Sequence, residues 1–172
     1  MSTVNTVVIP GFEDPQAMLL ACHEKVRHFA RLAARLGQHV SEKGADAEAS
    51  QAAKAILRYF DLAAPLHHDD EELDLFPALR ALDSSELNSA INRLEAEHEE
   101  LAVLWESIRP WLDATAHNEL MTPPPTVGEF SRRYVLHAGA EETEVYGAMA
   151  DLPAKVIAAI GRSMCMRRGL SQ

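Results

Sequence analysis

The most constraining feature of this 172-residue chain is an unbroken apolar seam between residues 87 and 112. Leu87, Ile91, Leu94, His98, Leu101, Trp105, Ile108 and Leu112 recur at alternating steps of four and three. That rhythm lays every member along one face of a helix, the face by which helices pack into bundles. A histidine stands in the middle of the seam, where an unpartnered imidazole is costly. This helix must therefore pack against others, and those others must supply something for His98.

Three further long helices are legible. Asp14-Pro15 is a start signal, with Asp as the cap and Pro at the first helical position. Leu19, Cys22, Val26, Phe29, Ala33 and Leu36 follow as a stripe, and Gly37 is expected to end the helix. His23 shares that stripe. His28 lies about 140° around the helix and faces away, and His39 falls beyond the expected stop. A second helix is expected from about Ala47 to Phe76, with Ile56, Phe60, Ala63 or Ala64, His67, Glu71 and Leu75 inside. The frame one residue later would bury Asp61 together with His68 and Glu72. His67 and Glu71 are therefore read as inward, and His68, Asp69, Asp70 and Glu72 as flanking or solvated. Pro65 is expected to kink this helix by freeing the carbonyl of Asp61, and Pro77 to end its regular part.

The seam helix is expected to start at a capping box, Asp83 to Glu86, and to run to about Leu112. Pro110 should bend or shorten its end. After a polar loop over residues 113–125, Thr126 to Glu129 forms a second capping box. Phe130, Tyr134, His137, Glu141 and Val145 then share one face of a fourth helix. Asp151-Leu152-Pro153 breaks the chain, and a shorter fifth helix runs to Gly169 with Val156, Ile157, Ile160 and Met164 as its apolar side.

Composition excludes several function classes. A formal charge of −10 and a pI near 5.2 argue against nucleic acid and against an anionic membrane surface, both of which call for a basic face. Cys22 and Cys165 sit near opposite ends without a C-x-x-C unit, so the default is a reducing compartment. The N-terminus lacks the basic and apolar regions of a secretory signal, and no segment has membrane-spanning length. The protein reads as cytoplasmic.

Four helices thus each turn a histidine inward: His23, His67, His98 and His137. Two of them add a glutamate four residues on, Glu71 and Glu141. A lone histidine on an apolar stripe is usually a satisfied core residue, and a single His-x-x-x-Glu is an ordinary helical pair. Four imidazoles and two carboxylates in one core all need partners together, and a pair of metal ions satisfies all six. Imidazole with bridging carboxylate suits iron or manganese, with cobalt, nickel or zinc as substitutes. No separate nucleophile or base constellation is visible, so any catalysis belongs to the metal.

The order His23, then His67-x-x-x-Glu71-Glu72-x-x-Leu75-Phe76-Pro77, then Glu97-His98-Glu99-Glu100, then His137-x-x-x-Glu141-Glu142 resembles the hemerythrin-like, or HHE cation-binding, family. The resemblance covers about residues 15–150. It implies an all-α, up-down-up-down four-helix bundle holding two iron ions. Glu71 and Glu141 would bridge the metals, while His23, His67, His98 and His137 cap them. On that basis residues 1–14 form an extended arm, 15–150 the bundle, and 151–172 an additional short C-terminal helix packed on it. Two departures stand out. Oxygen-carrying hemerythrins place a second histidine four residues after the one on the third helix, where this chain has Ala102. That leaves one iron with an open position unless His68 or water fills it. The same carriers take their last carboxylate from an Asp five residues after the final histidine. Glu142 holds that place here, but a rotation of about 40° against about 140° favours Glu141. The iron-centre repair branch carries an extra N-terminal domain with a cysteine pair, which this chain lacks.

The expected function is binding of oxygen or a related diatomic at the di-iron site. An enzyme acting on peroxide or nitric oxide, and an iron-sensing or storage protein, are the alternatives. Tyr134, one turn before His137, is placed either to hydrogen-bond a bound ligand or simply to pack. Trp105 and Trp111 fit the bundle seam better than the contact of a homodimer.

Overall fold

The computed structural model describes residues 11–170, so the expected N-terminal arm lies largely outside the described residues. Four long helical rods make the bundle: Pro15–Lys43, a composite second rod over residues 47–80, Ser85–Ala116 and Thr126–Glu144. The first packs against the second and the fourth, and the third against the same two, which closes a ring. Consecutive rods joined by short connections run antiparallel, giving the up-down-up-down bundle. No strand occurs among the described residues. A 3₁₀ turn, Tyr146–Asp151, leads to the short last helix, Ala154–Arg167.

The seam is buried throughout, from Leu87 to Leu112 with His98 included, and Trp105 and Trp111 are both core residues. The apolar interior is divided. One cluster, with Val26, Ile56, Phe60, Leu101, Trp111 and Phe130, fills one end of the bundle. The other, with Leu19, Leu75, Phe76, Ile91, Val145 and Met164, fills the opposite end. A layer of buried polar side chains separates them.

Several helix ends differ from expectation. Asp14 caps the first helix as expected, its carboxylate accepting from the Ala17 N–H. The helix then runs through Gly37 to Lys43. Gly37 keeps helical geometry beside Val127, whereas Gly44, at φ 86°, has the left-handed backbone that ends the helix. The third helix is capped by Ser84, not Asp83. The Ser84 hydroxyl accepts from the Leu87 N–H, and Asp83 adopts a φ of 55°. It also carries Pro110 inside and continues to Ala116. Thr126 is the first residue of the fourth helix and does not cap it; its hydroxyl meets that of Ser107 at 2.9 Å.

The largest difference lies in the second rod. Pro65 does not sharply kink it. Instead the backbone widens into π turns at Tyr59–Ala63 and again at Glu71–Leu75, and in each case a proline, Pro65 or Pro77, follows within two residues. The wider turn closes on the carbonyl five residues back, with Ala64 N–H donating to Tyr59 and Phe76 N–H to Glu71. This moves backbone away from a ring that would otherwise collide with the carbonyl four residues earlier. Each π turn also delays the rotation of the following residues, so adjacent pairs turn inward: Tyr59 with Phe60, Asp70 with Glu71, Leu75 with Phe76.

Asp70, expected near solvent, is thus fully buried. The last helix supplies its partners. Arg167 and Arg168 both bond its carboxylate, the latter at 2.6 Å, and Arg167 also holds Asp74 at 2.7 Å. Gly161 lets this helix approach the backbone at Phe12, where a Cβ would collide with the Phe12 carbonyl. Replacing both arginines by alanine strands a buried carboxylate and should destabilise the fold by about 3–5 kcal/mol. Urea melts will read this, and Asp70→Asn in the same background should recover part of the loss.

Candidate metal centre

All six residues singled out from the sequence, His23, His67, Glu71, His98, His137 and Glu141, are buried in the polar layer between the two apolar clusters. Their donor atoms fall into two groups. His23, His67, Glu71 and Glu141 converge on one point, and His98 and His137 on a neighbouring one. The two glutamates face both groups. Glu141 Oε2 lies 3.0 Å from His23 Nε2, while its Oε1 lies 3.3 Å from His98 Nε2 and 3.1 Å from His137 Nε2. Glu71 Oε1 is 3.7 Å from His67 Nε2, and its Oε2 is 3.5 Å from His98 Nε2.

Three imidazoles are oriented from behind by carboxylates on the outer side of the layer. His23 Nδ1 donates to Glu142 at 2.9 Å, His98 Nδ1 to Glu72 at 2.6 Å, and His137 Nδ1 to Glu97 at 2.8 Å. A carboxylate accepts only, so each Nδ1 carries a hydrogen and each Nε2 is left to face the interior. This is the arrangement that fixes metal-ligating histidines. Glu142 and Glu97 are held in turn by Arg27 and Arg93, at 2.8 and 2.9 Å. Glu72 and Glu142, which competed with Glu71 and Glu141 in the sequence, thus bond the ligand histidines from outside.

The donor set fits cations. His67 Nδ1, Glu71 Oε2, His137 Nε2 and Glu141 Oε2 are buried without a hydrogen-bond partner, although nitrogen and oxygen approach to about 3 Å. Atoms at that spacing without hydrogen-bond direction are lone pairs aimed at a shared point. Such orphaned groups cost on the order of 1–3 kcal/mol each unless something positive lies between them. The protonation energetics agree. Burial and the Glu141 charge push the Glu71 carboxyl well above its usual range. Burial acts on Glu141 in the same sense, but the close imidazoles of His137, His23 and His98 outweigh it and hold that carboxyl well below its usual range. Burial pushes the His67 and His68 imidazoles down, which keeps them neutral as ligands must be.

Two residues join the site that helical periodicity had not placed there. His68, assigned to the flank, meets His98 and His137 as a third imidazole, its ring stacked on that of His98 at 3.9 Å. It stands beside Ala102, in a cleft of about 320 Å³ whose lining includes Phe60, Pro65, Trp105 and Tyr134. Tyr146 is the second. Its hydroxyl lies 3.0 Å from His23 Nε2 and donates to Glu71 Oε1. Tyr146 begins the 3₁₀ turn after the fourth helix, so no helical stripe extends to it. Tyr134 lines the cleft and stacks among Phe60, Phe130 and His68. His28 is exposed, and His39 is engaged with Asp46 far from the layer.

A family model described as the hemerythrin HHE cation-binding domain matches residues 14–149. The chain belongs to that family. It is also 31% identical over 162 residues to an uncharacterized protein of Haemophilus influenzae, a match covering 94% of each chain. The family match ends at residue 149, so Tyr146 and the whole polar layer fall inside the hemerythrin-like region, while the Arg167–Arg168 clamp falls outside it.

Glu71→Ala should lower metal content by half or more, because it removes an oxygen facing each group. Glu72→Ala should retain the wild-type metal content, with affinity reduced by on the order of 10-fold through the loosened His98. Equal loss in the two variants would place the bridging carboxylate at the wrong residue. Binding should also depend on pH. Burial acts to lower His98, but its bonds to Glu141 and Glu72 push it up to about 10 in the metal-free protein. Its folded value lies above the unfolded one, so the stability that this proton contributes is full below about pH 6.5 and lost as pH rises through about 10. A metal must displace the same proton, so affinity should rise by at least about tenfold per unit between pH 7 and 9, measured by chelator competition.

Proposed function

We propose that this protein is a non-haem di-iron protein that binds oxygen or a related diatomic within its helical bundle. The observation that carries the reading is the cleft beside Ala102. Where the oxygen-carrying hemerythrins that this chain resembles place a second histidine, it has Ala102, and the cleft there is open to the surface and lined by His68 and His98. A small ligand thus has a path to one histidine group while the other stays closed between helices. His23 and His67 would hold one iron, His68, His98 and His137 the other, and Glu71 and Glu141 would join the two. When bound, ferrous iron supplies reversible one-electron oxidation and an affinity for diatomic ligands.

The protein's own residues provide the rest. Glu142, Glu72 and Glu97 fix the imidazoles through their Nδ1 hydrogens, which raises the basicity of the ligating nitrogens. The two apolar clusters above and below keep water from the buried carboxylates. Phe60 and Trp105 give the cleft an apolar wall, and Tyr134, a candidate hydrogen-bond donor to a bound ligand, lines the same space. The acidic, free-cysteine chain, with Cys22 and Cys165 unpaired, suits a reducing compartment such as the cytoplasm.

Freshly purified protein should contain about two irons per chain by elemental analysis, and the reduced form should change its visible spectrum on exposure to oxygen and recover it on removal. Steady consumption of peroxide or nitric oxide without a reversible oxygen spectrum would instead favour an enzyme. Ala102→Leu, which fills the cleft without removing a ligand, should slow the spectral response by on the order of 10-fold at unchanged iron content.

A further inference from the structure

The two histidine groups are unequal. One contains three imidazoles, His68, His98 and His137, and the other only two, His23 and His67, although Glu71 and Glu141 offer an oxygen to each side. We propose that Tyr146 completes the smaller group as a phenolate ligand to the metal held by His23 and His67.

The hydroxyl lies level with the donor atoms of that group. Its oxygen is 3.0 Å from His23 Nε2 and in hydrogen-bond contact with Glu71 Oε1. Metal–ligand bonds of about 2.1 Å put neighbouring ligand atoms on the order of 3 Å apart. The Tyr146–His23 spacing matches that between His23 Nε2 and Glu141 Oε2, also 3.0 Å. Because His23 Nδ1 carries its hydrogen to Glu142, Nε2 presents a lone pair. The phenol oxygen therefore sits between two acceptors, with a single proton to share between them. A cation at that point replaces the proton: it leaves to solvent as the oxygen–metal bond forms, as for other acidic ligands.

The ring is built to hold the oxygen there. Tyr146 is 1% exposed, and its ring stacks on His23 at 5.1 Å with planes 12° apart. It is wedged on the apolar cluster containing Leu19, Leu75 and Met149. The fourth helix ends at Glu144, and the turn that follows carries Tyr146 back over Glu71. An ordinary continuation of the helix would turn residue 146 about 140° away from Glu141. The consequence is a closed and an open side. The His23–His67 group has its place filled by protein, and access through the Ala102 cleft reaches the three-histidine group alone.

This proposal rests on the di-iron reading, and one sample separates the two. The full-length ferric protein is assayed for iron and for the intense visible absorption of a phenolate-to-iron charge transfer. Resonance Raman spectra are recorded on protein grown with ring-deuterated tyrosine. The expected result is about two irons per chain, a visible band, phenolate ring modes that shift on deuteration, and loss of band and modes in Tyr146→Phe with the iron retained. Tyr134→Phe should keep them. Two irons without phenolate modes in the wild type overturns the Tyr146 assignment alone, and so do modes that vanish with Tyr134→Phe instead. Absence of iron overturns the di-iron reading and this one with it. Should Tyr146→Phe not fold, the isotope shift in the wild type, with the Tyr134→Phe control, still decides.

Discussion

The rest of this structure depends on one constraint: Glu71 and Glu141 are carboxylates with no exposure at all, each turning its two oxygens to different histidines. Two like charges at that depth, in a bundle with apolar clusters on both sides, are untenable without positive charge between them. Everything near them is arranged to deliver that charge and to hold the ligands in place. Four helices must arrive together because no single helix carries more than three of the donors. The closed ring of rods follows from the site as much as from the apolar seam.

Charge is then relayed outward. His23, His98 and His137 each pass a hydrogen to an outer carboxylate, and two of those carboxylates end on Arg27 and Arg93 near the surface. The chain is strongly acidic overall, yet the acids of this layer are not a solvated surface. Glu72, Glu97 and Glu142 act through imidazoles that face the interior. A net charge of −10 therefore says less about partners than the position of these few glutamates does.

The bundle and four of the buried polar positions were legible because alternation by three and four survives in the first, third and fourth helices. His23, His98, His137 and Glu141 fall where those stripes put them, and every seam position from Leu87 to Leu112 is buried. Legibility failed where the backbone left the 3.6-residue period. His68 and Asp70 were sent outward by a stripe drawn straight through Pro65, but the π turn at Tyr59–Ala63 rotates them back. Tyr146 lies beyond a helix end, where periodicity no longer assigns a face. Helix ends were misplaced for a related reason. Gly37 resembles a stop in sequence, yet only a positive φ such as that of Gly44 makes glycine a terminator. Asp83 and Ser84 both suit a cap, and the backbone chose the serine.

The π turns connect these observations. His67 and His68 lie in the regular segment Ala64–Asp70 between the two π turns and diverge by about 100°, so the rotation set by the first π turn decides which histidine group each one meets. Here His67 serves one group and His68 the other, with Glu71 one turn on reaching both. The same widening brings Asp70 inward beside Glu71, away from the histidines, where Arg167 and Arg168 neutralise it. Asp70 is fully buried and both arginines of the last helix bond it, so that helix is more than a cover for the apolar end. It removes Asp70 from the electrostatics of the metal layer and leaves Glu71 and Glu141 as the two carboxylates that face both histidine groups. Prolines at 65 and 77 thus set which second-rod residues meet the metal layer, and the arginines at the C-terminal end make that choice tolerable.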